Sequence, residues 1–163
     1  MSKVSKISSA TTPPADLYER DYYTWTQEQV RALRERRIEE VDWTNVAEEI
    51  EDLGKREKRA LRSQLVKLLG HLIKFAYARG VMWANNARGW ELSIRGARSE
   101  ALMYLDENPG LRPHVPQIFR SAYGSARLEI MKALRLPDSA IPEAPPWALD
   151  EIIHDAFLPS RNH

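Results

Sequence analysis

From Trp43 to Arg79 the chain contains no proline, and within that run Val46, Ile50, Leu53, Leu61, Leu65, Leu68, Leu72 and Phe75 recur every three or four residues. That spacing is the period of one face of an α-helix. An apolar stripe of this length needs other helices to cover it, so the run points to an all-α fold. Gly54 lies mid-way, and the run reads equally as one long helix or as two joined at a bend. Asp42 stands before it as an N-cap candidate, its carboxylate able to accept an orphan backbone N–H of the first turn.

The remaining segments supply the covering elements. Leu17, Tyr18, Tyr22 and Tyr23 mark a short aromatic-rich turn or helix. Thr24 or Thr26 then caps a helix to about Arg37, with Trp25, Val30 and Leu33 on its buried side. Asn85, Asn86 and Gly89 punctuate the chain before a helix from about Trp90 to Asp106, which turns Ile94, Ala97, Ala101, Leu102 and Leu105 inward. Asn108-Pro109-Gly110 ends it. A further helix starts near Pro116, proline being well tolerated at a first helical position, and buries Ile118, Phe119, Ala122, Ala126, Ile130 and Leu134. The rest holds Pro137, Pro142, Pro145 and Pro146 around a helical patch at Trp147–Ile153. No segment alternates with period two for long enough to read as a strand. The expectation is a helical bundle of about four to five helices, with the proline-rich C-terminal tail wrapping the bundle and docking Trp147 and Phe157. Residues 1–14, polar and closed by Pro13-Pro14, read as a disordered tail, and residues 15–163 as a single helical domain.

Composition narrows the function classes. The chain has 163 residues and no cysteine, so disulfides and thiolate metal sites are excluded and stability must come from packing. Its 24 basic residues balance 23 acidic ones, which disfavours duplex nucleic acid as a partner. Apolar runs fall far short of the roughly 20 residues of a membrane span, and the N-terminus lacks the apolar core of a secretory signal. A cytoplasmic protein with no membrane association is the default.

A helical wheel of the long run brings out polar residues that interrupt the core face. Glu57, Gln64 and His71 follow Ile50 at seven-residue steps and fall within or beside the arc of Val46, Leu53, Leu61, Leu68 and Phe75. Glu49 lies one flank over. Buried without partners, such groups cost about 1–3 kcal/mol each. One reading is an interhelical polar pocket with His71 as acid, base or ligand. Seven residues of helix span about 10 Å, so the pocket needs completion by an arginine from the next helix, Arg95 or Arg98. The other reading is a set of interhelical hydrogen bonds that fix register, or residues at the solvent boundary.

Weaker signals have plainer explanations. Glu151 and His154 have the Glu-x-x-His spacing of di-iron bundles, but such a site needs two pairs and more inward carboxylates. His154-Asp155 evokes metal phosphohydrolases without the accompanying ligand spacing at His71, His114 or His163. Glu48, Glu49, Glu51 and Asp52 fit a solvated helix face better than a hard-cation site. Arg31, Arg34, Arg36 and Arg37, like Lys55, Arg56, Lys58, Arg59 and Arg62, lie three or four residues from acids, as suits intrahelical pairing. There is no phosphate-binding glycine loop, zinc-protease motif or nucleophile elbow. No metal or cofactor is assigned.

The stretches LYERDYYTWTQEQVRALRERR, VDWTNVAEEIEDLG and LVKLLGHLIK resemble the bacterial family known as domain of unknown function twenty-nine. Trp90 with Ile94 and Arg98, the NPGL at Asn108–Leu111 and the closing FLP at Phe157–Pro159 fit as well. The resemblance spans about Leu17 to Pro159. It implies a compact helical protein, found chiefly in bacteria including many cyanobacteria, with no assigned activity and no catalytic residues to carry over. Where that family often reads NPSL, this chain has Gly110 and loses a potential cap. Glu49 and His71 occur both in these motifs and on the wheel.

Three functions are expected of such a chain. Five tryptophans and six tyrosines, many near element ends, favour a small protein–protein interaction or homodimerising module, although the same rings can simply fill a small core. An acid–base or metal-assisted hydrolase-like enzyme would use Glu49, Glu57, Gln64, His71 and Arg98 around an interhelical pocket. A weak nucleic-acid binder would use the arginine-rich helices.

Overall fold

A computed structural model describes residues 17–161. The expected N-terminal tail, residues 1–14, lies outside the described residues. Among those described, every regular element is helical, and none of the helices is long and apolar enough to cross a membrane. The chain divides into two compact units, residues 1–54 and 55–163.

The first unit contains α1 (Leu17–Arg20), α2 (Tyr22–Arg34), a 3-10 turn (Ile38–Glu40) and the first turns of α3 (Trp43–Tyr77). The cap of α2 is Asp21, not Thr24 or Thr26. Its carboxylate accepts the Thr24 N–H at 3.0 Å and the Thr24 hydroxyl at 2.6 Å. A carboxylate at a helix start also meets the positive end of the helix dipole, which a threonine does not. Trp25 is buried, with Tyr18 edge-on at 4.8 Å and Tyr22 stacked at 5.8 Å. Val30 and Leu33 are exposed, contrary to the sequence reading, and the inward residues of α2 are Trp25, Gln29 and Ala32. Trp25, Gln29 and Ala32 themselves follow the helical period. Gln29 is 3% exposed and its Oε1 accepts the Asp42 N–H at 2.7 Å. Asp42 in turn accepts from Asn45 N at 3.2 Å and caps α3. A buried amide thus ties α2 to the residue that starts the next helix.

α3 is one helix. Gly54 does not end it, because a helical glycine costs only about 1 kcal/mol relative to alanine and good helix formers surround it. Its apolar stripe has two different fates. Leu61, Leu65, Leu68 and Leu72 have no exposed surface, whereas Trp43, Ile50 and Leu53 are 55%, 63% and 55% exposed.

The second unit holds the rest of α3, α4 (Gly80–Glu107), a 3-10 turn (Pro109–His114), α5 (Val115–Leu134) and α6 (Leu149–Ile152). Leu61, Leu65, Leu68, Leu72, Ile94, Ala97, Ala101, Ile118, Ala122, Ala126 and Ile130 form one apolar cluster that also takes in Ile141 and Ile152. The break between α3 and α4 falls at Ala78–Arg79, and Gly80 adopts φ +56°, a left-handed value that favours glycine. Asn85, Asn86 and Gly89 do not punctuate the chain; they lie inside α4, which starts some three turns before Trp90. Tertiary contact outweighs their weak propensity. Trp83 packs edge-on against Phe75 at 5.7 Å and donates from Nε1 to the Phe75 carbonyl at 2.9 Å, while the Asn86 amide donates to Met82 O. Six α-helices are present among the described residues, two of them single turns, so the expected four to five counts the long ones and one short one.

Candidate functional site

The five residues singled out by the wheel and its neighbours have separate surroundings. Glu49 belongs to the first unit. Its two carboxylate oxygens accept the hydroxyls of Tyr18 and Tyr22, each at 2.7 Å. Those aromatics are placed by α1 and α2, and their rings meet Trp25. The hydrogen bond to Glu49, reinforced by burial and by the charges of Glu49 and Glu48, pushes the Tyr18 phenol up to about 12.

Glu57, Gln64, His71 and Arg98 belong to the second unit. Glu57 accepts the Tyr104 hydroxyl from α4, and this bond, ahead of burial, raises the Tyr104 phenol to about 12. Gln64 is half-buried. Arg98 is 1% exposed, and its whole donor fork is turned to backbone carbonyls. Nε donates to Ile152 O at 2.7 Å, Nη1 to Asp155 O at 2.9 Å and Nη2 to Phe157 O at 2.6 Å. Burial lowers its pKa, while the Asp155 charge acts in the opposite sense. With those donors engaged, Arg98 orders the C-terminal segment and is not aimed at His71.

His71 borders a cavity of about 270 Å³ whose polar lining is Ser63, Lys67, Lys74 and Glu129. Nδ1 of the imidazole is buried and has no hydrogen-bond partner among the described residues. Burial, then the charges of Lys74 and Lys67, lower the pKa of the ring, so it is neutral near pH 7. Lys67 also donates to Glu100 at 2.8 Å. The sequence reading had not included Lys67 and Lys74 with His71, although their spacing of four residues before and three after sets them on its face. Glu129 comes from α5, and no local spacing could have revealed it.

The sequence profile of the family described as "Domain of unknown function DUF29" matches residues 17–158. The chain belongs to that family. No curated protein and no solved structure matches it.

In this DUF29 chain the other motif residues have local uses. Glu151 accepts the Ala148 N–H at 2.6 Å at the start of α6, and His154 Nδ1 accepts the Ala156 N–H at 3.3 Å. The Glu-x-x-His spacing therefore serves a helix end and a turn. Among the described residues no three His, Asp or Glu side chains come together as a metal site. Two of the clustered arginines also have carboxylate partners, Arg31 with Glu35 and Arg37 with Glu35 and Glu40. Arg62 of the second cluster donates to the Ser121 and Ser125 hydroxyls of α5.

Proposed function

We propose that this DUF29 chain is a helical protein–protein interaction module whose partner surface is the exposed apolar row at the start of α3. The observation that carries the reading is the exposure of Trp43, Ile50 and Leu53, joined in the same unit by exposed Tyr23, Val30, Leu33 and Ile38. Against these, the unit buries Trp25, Ala32 and Val41. Single exposed apolar residues are ordinary, but Trp43, Ile50 and Leu53 recur on one face of α3, and such a row marks a surface built to be covered. Aromatic residues at its edge suit an interface core. A cytoplasmic, bacterial setting is part of the proposal. So is a C-terminal tail wrapped over the helices, supported by the burial of Ile141 and Ile152 and by the carbonyls that Arg98 holds.

The test uses protein isolated from its host under native conditions, with mass measured on the intact assembly. The full chain is expected to carry a partner or a second copy, and Ile50→Asp to release it without loss of helix content. A strictly monomeric chain that carries nothing overturns the proposal.

A second reading, acid–base or metal-assisted chemistry, rests on the His71 cavity with its neutral imidazole beside Ser63, Lys74 and Glu129. It is tested by screening ester, phosphoester and amide substrates, with and without divalent metals, against the protein and His71→Ala. Turnover that His71→Ala abolishes supports it, and turnover that survives the substitution, or no turnover with any substrate, removes it.

A further inference from the structure

Along α3 the charges are sorted. Glu48, Glu49, Glu51 and Asp52 are followed by Lys55, Arg56, Lys58 and Arg59, with Glu57 the one acid among those bases, all on one helix. Local pairing between residues four apart softens this polarity but leaves one end of the segment acidic and the other basic. Trp43, Val46, Ile50 and Leu53 follow the alternating three- and four-residue steps of a coiled-coil seam, and Trp43, Ile50 and Leu53 are more than half exposed. Space above the helix is open at Gly54, where an added Cβ would meet no atom within 4 Å.

We propose that the occupant of this row is a second copy of the chain, with the two α3 helices antiparallel. The inference rests on the interaction reading above and names its partner. Parallel pairing would set acid beside acid and base beside base. Antiparallel pairing brings the acidic block of each copy toward the basic block of the other, a symmetric arrangement that closes at two subunits. With Ile50 opposite Leu53 of the second copy, the two apolar pairs form the centre. Glu49 then flanks Arg56 of the second copy, and the symmetry repeats that pair. Glu49 also accepts the Tyr18 and Tyr22 hydroxyls of its own copy. Ala47 and Gly54, both small, edge the same seam and allow close approach of the helices. The seam is short, so the dimer is weak and salt-sensitive, because screening acts on the charge pairing.

Because the chain has no cysteine, single introduced thiols report the orientation directly. Ala47→Cys and Gly54→Cys change exposed positions on one flank of the seam. Mixed in equal amounts and mildly oxidised, they are expected to form the mixed 47–54 disulfide in clear excess over either homodimer. Sedimentation of the unmodified chain should show the mass doubling with concentration, and high salt should weaken the dimer several-fold. A 47–47 disulfide as the main product would establish parallel pairing and overturn the proposal. So would a chain that stays monomeric at every concentration. If the isolated chain is monomeric but Ile50→Asp still releases a different protein from the native assembly, this inference fails and the interaction reading stands. If Ile50→Asp alters neither, both fall.

Discussion

Arg98 Nε lies 2.7 Å from the carbonyl oxygen of Ile152, the last residue of α6. With Nη1 and Nη2 on the carbonyls of Asp155 and Phe157, one guanidinium from the middle of α4 gathers three carbonyls of the C-terminal segment. Replacing it by methionine leaves three acceptors without their donor and should cost about 3 kcal/mol or more. Arg98→Lys should recover only part, since an ammonium cannot reproduce the planar fork. Urea denaturation and the rate of proteolytic cleavage beyond Pro137 check both, and a wild-type midpoint for Arg98→Met would refute this role.

Gly89 sits in the interior of α4 with open space where a Cβ would be. Gly89→Ala is expected to stabilise the protein by about 0.5–1 kcal/mol, the ordinary helical difference between the two residues. A thermal midpoint that falls would show that the chain needs glycine there.

Tyr18 and Glu49 set an alkaline limit. A phenol raised from 10.0 to about 12 in the folded state holds its proton where the unfolded chain has lost it. The stabilisation is complete below pH 10 and drains away as pH rises toward 12. Tyrosinate absorbance should show a late-titrating phenol, and Glu49→Gln should return it toward its ordinary value. An unchanged titration in that variant would mean that Glu49 is not the cause.

His71 sets an acid limit of the opposite sign. Its folded pKa lies below 6.5, so its contribution is complete above 6.5 and is lost as pH falls through the folded value. His71→Leu should flatten the fall of stability on the acid side, and it also removes the unpartnered Nδ1. NMR titration of the ring should find it neutral below pH 6.5, and a pKa at or above that value would contradict the burial argument.

Gln29 is the fifth test. Gln29→Leu fills the space but leaves the Asp42 N–H without its acceptor, at a cost of about 1–3 kcal/mol. Hydrogen exchange should quicken at Asp42 and in the first turn of α3 more than in α5.

Much of the helical framework was legible because periodicity is local. Leu61 through Leu72, Ile94 through Leu105 and Ile118 through Ile130 announce their buried faces by spacing alone, and those faces are buried. The misreadings share a cause. Ile50 and Leu53 repeat the same spacing, but spacing marks the side of a helix and not whether anything covers it. Asn85, Asn86 and Gly89 looked like punctuation because the Trp83–Phe75 contact that sustains α4 joins two helices across their break. The candidate polar residues were legible only as residues. That Glu49 faces two tyrosines, that Glu57 meets Tyr104 and that Arg98 turns to Ile152 depends on segments far away in sequence, and no wheel of one helix contains them.

The C-terminal segment has one more consequence. Proline carries no N–H, so the stretch from Pro137 to Pro146 offers its surroundings mostly acceptors. Its neighbours on the helices answer with donors: Tyr123 to Pro142 O, Arg127 to Ile141 O and Asp138 O. Bonds to carbonyls do not read side chains. Exposed positions such as Glu143 and Ala144 are therefore free to drift over evolutionary time, while the instructions for placing the stretch are stored upstream, in one tyrosine and one arginine that never enter it.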